Sequence, residues 1–312
     1  MTRLLRQNGW VVGLSVLFIV LFVVTRMIQP SYGAGDFGSL VRAVLPYAFA
    51  VAAQTVVVVA GGIDLSVGTV ATMAAFIVAT QAVDNPSGIA VVIALIPAVL
   101  IGFANGIGIG LFRVHPLIMT LGTSLIGVGC LQVYQRTVIA SGAKFPEFLV
   151  WLGTGLTWGF PNALLLFIPI AALLIFIQRR TGFGRLLYAI GDNERAARLS
   201  GVKYWQVILA LYMFSSVLAG IMGLLYIGLI KAPSLSLAEP LVLPSVAAAV
   251  IGGTSIFGGR GGYSGTIVGA LILQVLTTLL TVMRMPEGAR DILFGVIVLA
   301  VTAIYLRIIE DR

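Results

Sequence analysis

Apolar runs of about 20 residues recur along nearly the whole chain, and this decides most of what it can fold into. A helix of that length spans the roughly 30 Å of hydrocarbon in a bilayer. Hydrocarbon offers backbone N–H and C=O groups no partners, so a spanning segment must be a helix or a strand of a closed barrel. The runs are continuous rather than alternating, which selects helices. With 59% hydrophobic and 10% charged residues, the chain is far from the roughly 25% charge of soluble domains. The expected fold class is an all-α integral membrane protein.

Ten spans fit, near 9–28, 39–60, 66–82, 88–112, 116–134, 161–178, 206–230, 242–258, 263–283 and 290–306. With the N-terminus inside, twelve Lys and Arg fall on the cytoplasmic side and seven outside, the bias that cytoplasmic loops show. Both termini are then cytoplasmic. The third and eighth spans are short and flanked by glycine pairs, and either one could enter and leave on the same side. Arg3 and Arg6 precede the apolar Trp10–Val24, but no cleavage site follows, so this stretch reads as an uncleaved first span. No linker or soluble domain is visible, so residues 1–312 are expected to form one transmembrane domain.

Several chemistries lack their residues. The lysines Lys144, Lys203 and Lys231 are followed by Phe145, Tyr204 and Ala232. None can belong to a phosphate-binding P-loop, which needs Ser or Thr after its lysine. His115 is the single histidine and Cys130 the single cysteine. A metal cluster is therefore unsupported and an internal disulfide is impossible. Cys130 is expected to pack as a small hydrophobe, and His115, before Pro116, to sit at a span entry. The net charge of +8 is a membrane signal, because no basic face with interleaved aromatics suggests nucleic acid. No paired carboxylates or nucleophile–base set points to an enzyme.

The longest polar stretch, Arg179–Lys203, separates apolar segments instead of lying at an end. Water-soluble sequence in that position is expected to contact a soluble partner. On the other side, Gln135–Phe160 carries Trp151 and Trp158, which suit an interfacial helix. Within the spans, ion-coupling charges are nearly absent. Gln54, Asn105, Thr120, Thr123, Ser124, Ser215 and Ser216 could line a path for a neutral polar solute or serve as interhelical hydrogen-bond partners. Gly61–Gly68 and Gly252–Gly262 each join two apolar runs and combine glycines with Asp, Ser or Thr able to cap a helix. Asp64, two residues before Ser66, is read either as such a cap or as a gate residue. In the gate reading it meets solute hydroxyls or ties the Gly61-Gly62 bend to the Gly252-Gly253 bend.

Four strings together resemble the sugar-type ABC-importer permeases, the ribose/xylose/branched-chain-transport group. They are Gly61–Gly68, Val114–Gly122, Thr181–Glu194 running on to Leu199-Ser200-Gly201, and Gly252–Gly259. The resemblance implies a permease subunit that moves a monosaccharide or similar polyol. It also implies partners: cytoplasmic ABC ATPases that bind the ATP, a second permease copy or paralogue, and a periplasmic or lipid-anchored sugar-binding protein. No cofactor is expected in this chain. Residues 179–203 then look like the coupling loop that docks on the ATPase, through Gly182, Gly184, Arg185, Leu187, Tyr188, Asn193, Glu194, Ala196, Ala197, Leu199 and Gly201. Leu187, Tyr188, Ala196, Ala197 and Leu199 are expected to insert into a groove on that partner. The path or gate would comprise Gln54, Asp64, Ser66, Asn105, Thr120, Thr123, Gly252, Gly253 and Thr254. Two departures stand out. Glu194 and Gly201 are one residue further apart than in the importer coupling motif. Val242-Leu243-Pro244 replaces a Glu-Leu-Asp common in relatives, with Glu239 too displaced to be its obvious substitute. The competing class is a stand-alone secondary carrier or facilitator for a small polar solute.

Overall fold

The computed structural model describes residues 2–28, 34–138 and 142–286, together with 288–290, 292, 293, 295, 296 and 299. Helices dominate: α1 (Thr2–Ile28), α2 (Ala34–Val59), α3 (Val67–Gln81), α4 (Ser87–Gly110), α5 (Pro116–Val138) and α6 (Glu147–Thr154). A two-residue hairpin, Leu156–Thr157 against Phe160–Pro161, leads into α7 (Leu164–Arg180), α8 (Gly182–Asp192), α9 (Glu194–Leu199) and α10 (Tyr204–Ile230). A 3-10 turn at Glu239–Leu241 then starts α11 (Val242–Ile251), and α12 (Tyr263–Val282) follows.

Among the described residues, five helices are long and apolar enough to cross a membrane, or six if α7 and α8, bent by 66° at Thr181, count as one broken span. The third and eighth expected spans are the short ones. α3 has 15 residues and α11 has 10; the Gly61-Gly62 pair follows the end of α2 and delays the start of α3 to Val67, and Gly252-Gly253 end α11. The helix expected over 242–258 therefore stops at Ile251. The expected span 290–306 and the C-terminus lie largely outside the described residues.

α10 is the central post. Val207, Ile208, Leu211, Tyr212, Leu218, Ala219, Met222, Leu225 and Ile227 on it are all buried. α3 is as thoroughly enclosed, with Val67 through Thr80 buried. Small residues let these elements touch backbone to backbone. A Cβ at Gly223 of α10 would overlap the Ala71 carbonyl of α3, and one at Gly102 of α4 would lie 2.8 Å from the Tyr212 carbonyl. Without a hydrophobic drive between helices in lipid, such close packing is what holds them together.

The connections sort to two ends. At one end, Arg113 pairs with Glu194, Gly259 N donates to Val59 O at 2.9 Å, and Tyr188 Oη donates to Gly261 O at 2.8 Å. At the other, Lys144 N donates to Ala79 O at 2.8 Å, Arg42 to Thr154 O at 2.9 Å, and Arg290 to Thr281 Oγ1 at 3.0 Å. Arg113, Arg185 and Arg260 thus share the first end, and Lys144, Lys231 and Arg290 the second. α6 is not a free surface helix. Its Leu149 is buried, and Gly153 abuts the Gly228–Leu229 backbone at the top of α10. Trp151 and Trp158 stay exposed beside it. Cys130 is exposed on α5, so it does not pack inside the chain as expected.

Gly223→Ala forces α10 off α3 and should cost about 1–3 kcal/mol, as overpacking does. Gly122→Ala meets nothing within 4 Å and should leave the protein unchanged. Thermal unfolding of the two variants in detergent distinguishes them.

Candidate functional site

Six of the expected path residues come together in one buried hydrogen-bond network. After α2 ends at Val59, residues 60–66 fold back into the protein before α3 begins. Gln54 holds this return from both sides: its Nε2 donates to Asp64 O at 2.6 Å and its Oε1 accepts from Asp64 N at 3.3 Å. Asp64 Oδ1 accepts from Ser66 N at 2.9 Å and from Ser66 Oγ at 2.5 Å. Asp64 Oδ2 accepts from Ser215 Oγ of α10 at 3.1 Å. Asn105 Nδ2 of α4 donates to Ser66 Oγ at 3.0 Å, and Asn105 Oδ1 accepts from Thr123 Oγ1 of α5 at 2.7 Å. Thr120 Oγ1 accepts from Leu65 N at 3.1 Å.

Gln54, Asp64, Ser66, Asn105, Thr120 and Ser215 are all 0% exposed. Every polar atom named here is spent on another, so the network ties α2, α3, α4, α5 and α10 rather than facing a solute. Asp64 accepts the backbone N–H of Ser66, immediately before α3, and also reaches α10. It does not connect the two glycine strings. Those strings meet directly through backbone, Gly258 and Gly259 lying against Gly61 and Val59. Gly252, Gly253 and Thr254 form a separate turn. Gly252 packs on Gly265 and Thr266, and Thr254 Oγ1 accepts from Gly262 N at 3.3 Å.

The segment 179–203 closes this end of the protein. Thr181 caps α8 by accepting from Gly184 N at 3.2 Å, and Asn193 caps α9 by accepting from Ala196 N at 2.9 Å. Gly184, Leu187 and Ile190 form the buried side of α8. Gly191, next along, presses on the Val59 carbonyl and Gly259 N. Gly258 and Gly259 have φ of 87° and 70°, a left-handed backbone that suits glycine and lets them sit against Gly191 and Asp192. Gly201, at φ 86°, turns the chain from α9 toward α10.

This packing corrects part of the docking expectation. Leu187 and Ala197 are buried in the chain's own core, because α8 and α9 need an inner face to lie against α2 and α10. The Tyr188 hydroxyl is bonded to Gly261, and burial pushes its pKa up, so it remains a donor. Gly182, Arg185, Asn193, Ala196, Leu199 and Gly201 stay exposed, Leu199 at 82%, so these keep a face open to a partner.

Arg113 and Tyr204 were not among the expected site residues. Arg113 pairs with Glu194, and its guanidinium lies 4.0 Å above the Tyr204 ring. Arg198 is 3.8 Å from the same carboxylate. Glu194 and Tyr204 line a cavity of about 150 Å³ together with Gly61, Gly62, Pro116 and Tyr212. Arg113 and Glu194 are 81 residues apart, a pairing with no local sequence signal. No group of three or more His, Cys, Asp or Glu could hold a metal among the described residues.

Residues 37–302 match the family described as branched-chain amino acid transport system / permease component. The chain is 31% identical over 261 residues to the fructose import permease protein of Rhizobium meliloti, covering 81% of this chain and 72% of that one. To the galactofuranose transporter permease protein of Escherichia coli it is 30% identical over 312 residues, covering 95% and 90%. To the ribose import permease protein of Bacillus subtilis it is 29% identical over 282 residues, covering 90% and 88%. No solved structure matches the chain.

Asp64→Asn keeps the acceptor for Ser66, and its new N–H can donate to Ser215 Oγ, which still reaches Ala53 O at 3.2 Å. It should cost about 1 kcal/mol or less and leave function intact. Asp64→Ala strands Ser66 N in the interior and should cost about 1–3 kcal/mol or more. Thermal unfolding in detergent, followed by transport in membranes, checks both. Loss of transport by a well-folded Asp64→Asn would give the carboxylate a role beyond the network.

Proposed function

The chain belongs to the family of branched-chain amino acid transport system permease components, and from that premise we propose that it is the permease subunit of an ABC importer for a monosaccharide or similar polyol. ATP is bound and hydrolysed by separate cytoplasmic ATPase subunits. A binding protein in the periplasm, or anchored to lipid, delivers the solute, and a second permease copy or paralogue completes the pathway. Residues 1–312 act as one permease domain with the coupling loop 179–203 inside it. In this reading the chain crosses the bacterial inner membrane ten times, with both termini in the cytoplasm.

The observation that carries the reading is the junction at Gly191. There the end of α8 touches the last residue of α2, Val59, and the second glycine string at Gly258 and Gly259 through backbone, so movement of 179–203 is passed to the end of α2 and to the loop after α11. A mechanical input of this kind suits a chain with no P-loop of its own. The sugar class is supported by the fructose, galactofuranose and ribose names of similar proteins. The cytoplasmic placement of 179–203 is supported by the excess of arginine at that end. The exposed groups Arg185, Ala196 and Leu199 would meet the ATPase, with Arg113–Glu194 bracing the loop behind them. No observation favours a stand-alone carrier.

Reconstitution with an ABC ATPase and a sugar-binding protein from the same organism tests the proposal. Uptake of ribose or fructose into proteoliposomes should require ATP on the ATPase side and the binding protein on the other. Uptake by this chain alone, without ATPase, would establish the carrier instead. In a Cys130→Ser background, an impermeant thiol reagent added outside intact cells should label position 144 and not 185. The opposite pattern would remove the coupling loop from the cytoplasm.

A further inference from the structure

The segment Lys231–Leu241 leaves the far end of α10 and returns into the body of the protein. Ala238 N donates to Thr72 Oγ1 of α3 at 3.0 Å. A Cβ on Gly68 of α3 would lie 3.3 Å from the Cα of Glu239. The depth of these contacts follows from α10, whose 27 residues make a rod of about 40 Å. Gly223, where α10 touches Ala71, stands seven residues before Ile230 and so about 10 Å inside that end. Thr72 adjoins Ala71, and Gly68 lies one turn further in. Glu239 therefore sits about 10–15 Å inside the far end of α10, within hydrocarbon depth.

Two features of the segment do not suit lipid. The Glu239 side chain is exposed, and its carboxylate has no hydrogen bond or ion pair among the described residues. A carboxylate facing lipid at such depth is costly, and intramembrane acids instead face a bundle interior or a water-filled cavity. Separately, Leu235–Ala238, which carry the chain inward to Thr72, form turns and not a helix. Non-helical backbone at membrane depth is tolerated only where protein or water covers it. Ser234 and Ser236 are exposed beside Glu239, and Leu243, one turn further along, is 72% exposed.

We infer that Glu239, with Ser234 and Ser236, lines the water-filled solute path, and that its carboxylate accepts hydrogen bonds from the hydroxyl groups of the passing polyol. This rests on the importer reading and adds to it a binding residue. A carboxylate offers two oxygens to neighbouring hydroxyls, and bonds to an ionised acceptor are about twice as strong as neutral ones. Leu243 offers an apolar surface to the C–H face of a sugar ring. The path residues are then in the segment that returns along α3, and the buried network behind them is its support.

Two readouts test this in the assembled transporter. In the Cys130→Ser background, Glu239→Cys should react with a charged methanethiosulfonate as readily as with N-ethylmaleimide. Reaction with the membrane-dissolved reagent alone would put residue 239 in lipid and overturn the inference. Glu239→Gln, nearly isosteric, should lower ATP-driven uptake of ribose or fructose about tenfold, by replacing a charged acceptor with a neutral one. Glu239→Leu should lower it further, with thermal unfolding unchanged. Uptake at the parent rate by both variants would also overturn it. If the parent complex shows no ATP-driven uptake, the importer reading itself has failed. The thiol readout still decides whether residue 239 borders water.

Discussion

No side chain separates Gly191 from Val59 and Gly259, and the rest of the structure depends on that contact. Side chains between helices can change rotamer and absorb a displacement, whereas backbone pressed on backbone cannot. Gly191 closes α8, Val59 closes α2, and Gly259 follows the turn after α11. Three elements that are far apart in sequence therefore meet as one body. Arg113 and Glu194 brace the outside of this junction. Their side chains are 37% and 43% exposed, so the pair contributes about 0–1 kcal/mol to stability. Its value lies in fixing the position of α9 beside the start of α5.

Above the junction, burial leaves polar groups only each other. Asp64 is shielded from water and receives Ser66 and Ser215, and Ser66 in turn receives Asn105. Losing one member leaves another unsatisfied, which is why a network like this fixes one arrangement of its helices. It also fixes where α3 begins. α3 then runs up the protein as the wall behind Glu239. A displacement at Gly191 thus has an unbroken route through the 60–66 loop, Asp64 and α3 to the segment placed in the solute path.

The apolar runs made most of the helices legible, since length and continuity are the signals that a bilayer imposes. The runs near 88–112, 206–230 and 263–283 became α4, α10 and α12 with ends moved by a few residues. The glycine pairs at 61–62 and 252–253 were legible as breaks, but the contact of Gly258 and Gly259 with Gly61 and Val59 was not, because tertiary contact between distant backbone leaves no periodic trace. Gln54, Asp64, Ser66, Asn105, Thr120 and Thr123 stood out as the rare polar groups in apolar sequence. That their oxygens and nitrogens would satisfy one another required coordinates. Leu187 and Ala197 were read as partner-facing because their segment is polar overall, while a short amphipathic helix always keeps one side for its own protein. Arg113 and the return of 231–241 onto α3 carried no local pattern at all.

If force enters through α8 and reaches the solute path across the Gly191 contact, a single methyl group there should interrupt it. Gly191→Ala places a Cβ against the Val59 carbonyl and 2.5 Å from Gly259 N. The decisive measurement is solute taken up per ATP hydrolysed by the complex assembled with this variant. The expected result is a complex that still binds its ATPase and hydrolyses ATP, with uptake per ATP reduced about tenfold or more, as a small misplacement far from a working site can do. Uptake per ATP equal to that of the parent complex would contradict it.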